Sequence, residues 1–220
     1  MAWRREAMSN RLIWIDCMMT SLDESTAKLM EIAVIVTGNN VELKIVDQTG
    51  SLAIHHDAST LENMEPWCRS QFLANRLIRD CRASEISCED AEKTVLDMLQ
   101  KHTKEGQCRL AGNRVDLVLK FIDKYMPTLG SWLSKVTLDV TDIRKEIEKE
   151  ADDVSWLKDW YNNCPKKRNR HRALSNIMES IAEYKFYLQR GFKSPSDVYE
   201  LTHYEYCEYY EHWSTSEDSD

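Results

Sequence analysis

Residues 29–50, LMEIAVIVTG, then NN, then VELKIVDQTG, constrain the fold more than any other stretch. The first run is rich in Ile and Val and ends at Gly38-Asn39-Asn40, a turn signal. The second run alternates apolar and polar residues. Two such runs across so short a turn pair as an antiparallel hairpin. RLIWID (11–16) reads as a buried strand, and SLAIHH (51–56) is a further candidate partner. Three consecutive antiparallel strands are expected at the start.

After residue 56 the apolar period becomes helical. CRSQFLANRLIRDC carries Phe72, Leu73, Leu77 and Ile78 at helix spacing. SCEDAEKTVLDMLQKH opens on Ser87 with Asp90 three residues later, a capping pattern. CRLAG is a short strand closed by Gly112-Asn113, and DLVLKFIDKYM is a helix that stops before Pro127. KVTLDV (135–140) is another strand, and TDIRKEIEKEA is a helix capped by Thr141. ALSNIMESIAEYKFYLQR (173–190) is a long amphipathic helix ended by Gly191. The order β-β-β-α-α-β-α-β-α-α argues for an α/β fold, a mixed sheet flanked by helices.

The 220 residues are enough for one mid-sized domain. No apolar run approaches the ~20 residues that span a bilayer. The start has three arginines and no apolar core, which disfavours a secretory signal. Seven cysteines, scattered and without C-x-x-C spacing, suit reduced thiols better than zinc. A cytosolic or nuclear compartment follows, with a mitochondrial one open. The net charge of −8 is local: of 37 acids, eight lie in 195–220, which has no Lys or Arg, leaving 29 against 29 bases. Acidity therefore does not exclude nucleic-acid binding by the body. Three parts are expected: an extension (1–10), a domain (11–194) and an acidic, Tyr-rich tail (195–220).

Five ordered stretches resemble one family. LIWIDCMMTSLD is similar to the motif W-I-D-x-E-M-T-G-L, and LMEIAVIVT to the strand that follows it. LAGNRVDLVLKFIDKYMP, LDVTDIRKE and HRALSNIMESI resemble the remaining motifs. The family is the oligoribonucleases, 3′-to-5′ exonucleases of the DEDD superfamily. The resemblance implies a ribonuclease H-like mixed sheet, with strands 1–3 antiparallel and two further parallel strands, flanked by helices.

It also implies a site in which four carboxylates hold two Mg²⁺ or Mn²⁺ ions that clamp the scissile phosphodiester, with a histidine as general base. Position by position, Asp16 and His171 are present, but Met18, Val118 and Asn176 stand where the family has acids. Two divalent ions carry four positive charges, and Asp16 supplies one negative. A thioether is a poor ligand for such hard cations. Catalytic-strength metal binding at Asp16 is therefore not expected. Glu179, Asp116 and Asp23 are the nearest acids in sequence, and rescue would need several to converge.

Leu22 and Trp67 match family positions that hold terminal bases. Arg114 replaces a serine, and Ser134-Lys135-Val136 replaces an H-Y-R triplet tied to the phosphate cap across a dimer. Lys166, Lys167, Arg168, Arg170 and Arg172 form a basic run bordering His171. Each feature has a plain structural reading: a turn cap for Asp16, a solvated histidine, a half-buried core aromatic for Trp67, a solvated loop for the basic run. Three functions compete. One is a degenerate oligoribonuclease that binds short RNA or protein. Another is an active exoribonuclease with a rearranged Mg²⁺ or Mn²⁺ site. The third is a scaffold, a homodimer or a partner of an active paralogue.

Overall fold

The computed structural model describes residues 10–151 and 155–190. Nearly all of the expected N-terminal extension, the tail and the stop at Gly191 lie outside the described residues. A five-stranded sheet has the order β3-β2-β1-β4-β5, with β1 Arg11–Met19, β2 Leu29–Gly38, β3 Ile45–Ala53, β4 Arg109–Gly112 and β5 Thr137–Asp139. The first three strands pair antiparallel, and β1, β4 and β5 run parallel. This is the mixed sheet expected from the sequence.

Helices cover both faces: α1 Ala58–Glu62, α2 Pro66–Ala74, α3 Leu77–Ala83, α4 Cys88–His102, α5 Val115–Tyr125, α6 Pro127–Trp132, α7 Val140–Ala151, α8 Ser155–Asn162 and α9 Ala173–Arg190. Strand alternation sorts the core. Ile13, Ile15, Cys17 and Met19 join one apolar cluster with residues of α4, α5 and α6. Leu12, Trp14 and Met18 join the other, with Ile177 and Ile181 of α9. Asp16 shares this second face. With both faces covered, every residue of β2 except Gly38 is buried, which explains its continuous apolar run. Gly112 ends β4 where a Cβ would lie 2.8 Å from the Ile15 carbonyl oxygen. The sequence Gly112-Asn113 thus lets β4 close against β1.

Several boundaries differ from the sequence reading. Val41 to Lys44 form a turn rather than strand, because Leu43 is drawn into the core at φ 47°. The third strand starts at Ile45 and continues past Gly50 (φ 70°), so the two runs expected at 41–56 form one strand. The helix expected over 68–81 breaks at Asn75-Arg76, where Arg76 adopts φ 68°. Asn75 Oδ1 accepts from the Leu77 amide, and its Nδ2 donates to the carbonyls of Arg170 and His171. These tertiary bonds outweigh helical continuity. Asp139, not Thr141, caps α7: its Oδ1 accepts from the Thr141 amide at 2.8 Å and its Oδ2 from the Val115 amide at 2.8 Å. The Ser87–Asp90 capping box on α4 is formed as expected.

Candidate functional site

Asp16 points from β1 toward the N-terminal half of α9. Its Oδ2 accepts a hydrogen bond of 2.9 Å from Nδ2 of Asn176. Burial pushes the Asp16 carboxyl up from 3.8 to about 7; the Asn176 and Cys17 hydrogen bonds oppose the rise, the Glu31 charge adds to it and the Lys167 charge opposes it. The acid is thus poised between neutral and charged near neutral pH. Asn176 meets it with an amide donor, where a metal site would need a further acceptor.

The other two family positions lie inside the apolar layers. Met18 is 8% exposed and packs in the cluster that contains α9. Val118, 3% exposed, belongs to the opposite cluster with Ile15, Cys17 and Phe121. Of the acids weighed as substitutes, Glu179 and Asp23 are engaged elsewhere. Glu179 accepts the Arg168 amide at 2.9 Å. Asp116 is exposed in the first turn of α5. Asp23 ties its own turn through Ser25 and Thr26, and those bonds hold its carboxyl below its usual value. Among the described residues, no three His, Cys, Asp or Glu side chains are grouped to hold a metal ion. The residues present do not fit a two-ion centre.

The rim is built from strained loops. Of the five positive-φ non-glycine residues among those described, four (Arg76, Arg114, Asn169 and His171) lie in the loops at this end of α9 and beside Asn113. Such conformations persist where surrounding contacts enforce them, often at functional sites. The His171 ring sits edge-on against Trp67 at 5.2 Å between centroids. Trp67 is 51% exposed and Leu22 is 54% exposed. The Glu65 amide donates to the Thr20 carbonyl, which brings their two segments together. An aromatic face therefore stands open beside the histidine, and the exposed Leu22 lies on the segment tied to the one that carries Trp67.

The basic run divides. Arg172 donates to Glu31 through Nε at 2.9 Å and Nη2 at 2.8 Å, and to Asp80 through Nη1 at 2.9 Å. Glu31 is fully buried, and its other oxygen accepts the Ala173 amide at the start of α9. Lys167 pairs with Glu183 at 3.0 Å and donates to Asn113 Oδ1 at 3.1 Å. Burial lowers the Lys167 ammonium. Burial also opposes ionisation of Glu183, but Arg144 and Lys167 outweigh it and keep the carboxyl below its usual value. Arg172 and Lys167, candidates for phosphate, are thus in internal ion pairs. Lys166, Arg168 and Arg170 remain exposed. Lys135 is exposed and pairs with Asp123 at 3.3 Å, Ser134 is buried, and Val136 is exposed.

Sequence reasoning missed Glu31, Asn75, Asn113, Arg144 and Glu183. Glu31 did carry a signal, being the one charge in an apolar strand, which demands a buried partner. Hydrogen bonds run on from Asp16 through Asn176 and Ser180 to Asn113 and Lys167, so the floor is a connected polar network.

Residues 13–184 match the RNase T family model, described as an exonuclease family. The chain is 39% identical over 185 residues to a probable oligoribonuclease of Dictyostelium discoideum, covering 84% of this chain and 92% of that protein. It is 33% identical to the human mitochondrial oligoribonuclease, covering 87% of this chain and 78% of that one. A solved structure of E. coli exonuclease I with a dT13 oligonucleotide superposes with TM-score 0.59 at 12% identity, over 82% of this chain but 41% of that one. The cell-death related nuclease 4 (CRN-4) structure gives a TM-score of 0.54 at 11% identity, over 83% of this chain and 64% of that one.

Proposed function

The chain belongs to the RNase T exonuclease family, in its oligoribonuclease branch, and from that premise we propose that it is a disarmed nuclease that holds the end of a short RNA. The observation that carries this reading is the state of the four ligand positions. One acid remains; two positions are apolar and buried, and the fourth offers an N–H to the surviving acid. Loss of a mere supporting contact around a metal typically costs ~10–100-fold in affinity or activity. Loss of three direct ligands removes the two-ion clamp itself. Base holding survives through Trp67 and Leu22, since stacking on an aromatic face contributes ~1–3 kcal/mol per base without sequence preference. Arg114, Lys166, Arg168 and Arg170 supply the phosphate contacts in this reading. The homodimer or the pairing with an active paralogue rests on the family resemblance alone.

The test is a nuclease assay on a labelled five-nucleotide RNA with Mg²⁺ or Mn²⁺. The natural chain is expected to bind without cleaving, with affinity that falls as salt rises. Met18→Glu, Val118→Asp and Asn176→Asp together are expected to bring Mn²⁺-dependent release of nucleotides. Robust turnover by the natural chain, abolished by Asp16→Ala, would establish a rearranged active site instead. A sizing column reads the assembly.

A further inference from the structure

We propose that a cavity separate from the Asp16 cleft binds a small zwitterionic amine with an apolar side chain, the chemistry of a free apolar α-amino acid. The cavity measures about 570 Å³, within the roughly 300–1,000 Å³ of small-molecule sites. It lies where β2 begins at Leu29, β3 has just ended before Ile54, α4 begins at Cys88 and α5 ends at Tyr125. These four residues belong to or pack on the apolar cluster of α4, α5 and α6, on the opposite face of the sheet from Asp16. They present carbon and sulfur to the cavity, because their polar tips are already used. The Tyr125 hydroxyl donates to the Ala27 carbonyl, and the Cys88 thiol donates to the Tyr125 carbonyl at 3.3 Å. Burial, with the charges of Glu89 and Glu92, pushes that thiol up to about 11, so it is a neutral wall and not a nucleophile. The floor therefore suits an apolar side chain.

The rim is rich in acceptors. His55 Nδ1 lies 2.8 Å from the Ser84 carbonyl oxygen, and His56 Nε2 lies 2.7 Å from that of Leu29. A carbonyl only accepts, so each of these nitrogens carries a hydrogen. In the neutral rings the lone pair then sits on His55 Nε2 and on His56 Nδ1. Neither of those nitrogens accepts a hydrogen bond from a described residue. Glu85 adds an exposed carboxylate, and the exposed Lys28 is the one lysine or arginine of the lining. Neither is ion-paired with a described residue. Three acceptors and one ammonium select a ligand that donates at several points and carries one anionic group. An α-ammonium donates three N–H bonds, and the carboxylate beside it answers Lys28. A bare metal ion does not fit, since among the described residues no three His, Cys, Asp or Glu side chains are grouped to hold one. A nucleoside monophosphate fits less well: its phosphate brings about two negative charges to a lining where Lys28 and Glu85 cancel.

This site does not depend on RNA binding. The test titrates the full natural chain with L-phenylalanine and L-leucine, followed by nitrogen NMR of the imidazoles and by saturation transfer to the ligand. Binding is expected, with a shift of the His55 Nε2 resonance. N-acetyl-phenylalanine lacks the ammonium and phenethylamine lacks the carboxylate. Each should bind ~10–100-fold more weakly than phenylalanine, the factor for losing a hydrogen bond to a charged group. Lys28→Gln should weaken phenylalanine by the same factor and leave phenethylamine unchanged, a selectivity that a folding defect does not produce. Glu85→Gln should weaken phenylalanine and leave N-acetyl-phenylalanine unchanged. Absence of binding by both amino acids, or equal affinity for phenylalanine and its two analogues, overturns the proposal. Loss of phenylalanine binding in Trp67→Ala also overturns it, because the ligand would then lie in the Asp16 cleft. Adenosine monophosphate binding more tightly than phenylalanine at the same imidazoles overturns the assigned class.

Discussion

Replacing Asp16 by Asn should stabilise the protein above neutral pH and do little in acid. Burial raises this carboxyl from 3.8 to about 7. At ~1.4 kcal/mol per pKa unit, the charged form is disfavoured in the fold by ~4 kcal/mol. Partial exposure to water discounts that, so ~2–4 kcal/mol is the working range. The sign follows from linkage. The unfolded chain ionises near pH 4, the folded one near pH 7. Below pH 4 both states are protonated, and the acid costs nothing. Between pH 4 and 7 the penalty grows, and above pH 7 it is complete. Asn keeps an oxygen that can accept the Asn176 amide N–H, which donates at 2.9 Å in the natural chain. The Asp16→Asn variant should therefore gain ~5–15 °C in melting temperature at pH 8. At pH 4 the two proteins should melt within error of each other. Thermal unfolding at several pH values, in buffer treated with chelator and again with Mn²⁺, checks this. A difference that is flat with pH, or an Asp16 chain that Mn²⁺ stabilises strongly at pH 8, would refute the reasoning, because the carboxylate would then already be ionised beside a cation.

Three other substitutions probe the site and its frame. Trp67→Ala should weaken RNA binding roughly 5–100-fold by loss of stacking, with thermal stability nearly unchanged because half the side chain is exposed; fluorescence anisotropy and melting separate the two effects. Arg172→Met leaves Glu31 charged in the core and should cost ~3–5 kcal/mol; adding Glu31→Gln should recover part of it in denaturant unfolding. Gly112→Ala forces a Cβ against the Ile15 carbonyl, 2.8 Å away, and should destabilise by ~1–3 kcal/mol, read from the denaturant midpoint.

Much of the architecture was legible because it depends on local period. The apolar run of β2 and the 173–190 helix follow from side-chain spacing alone, and the helix has those very bounds. The family motifs also located Asp16, His171 and the three altered positions along the chain. Local patterns could not show where the helix over 68–81 would break, since Asn75 bonds to carbonyls almost a hundred residues away. They could not sort the basic run either, because Lys167 and Arg172 differ from Lys166 only in the acids that the fold brings to them. Composition and order thus determined the strands and the helices, and the family resemblance marked the three altered positions. Only the tertiary structure decided that Val118 packs as core, that Asn176 donates to Asp16, and that Lys167 and Arg172 enter buried ion pairs, since each depends on contacts between segments far apart in the chain.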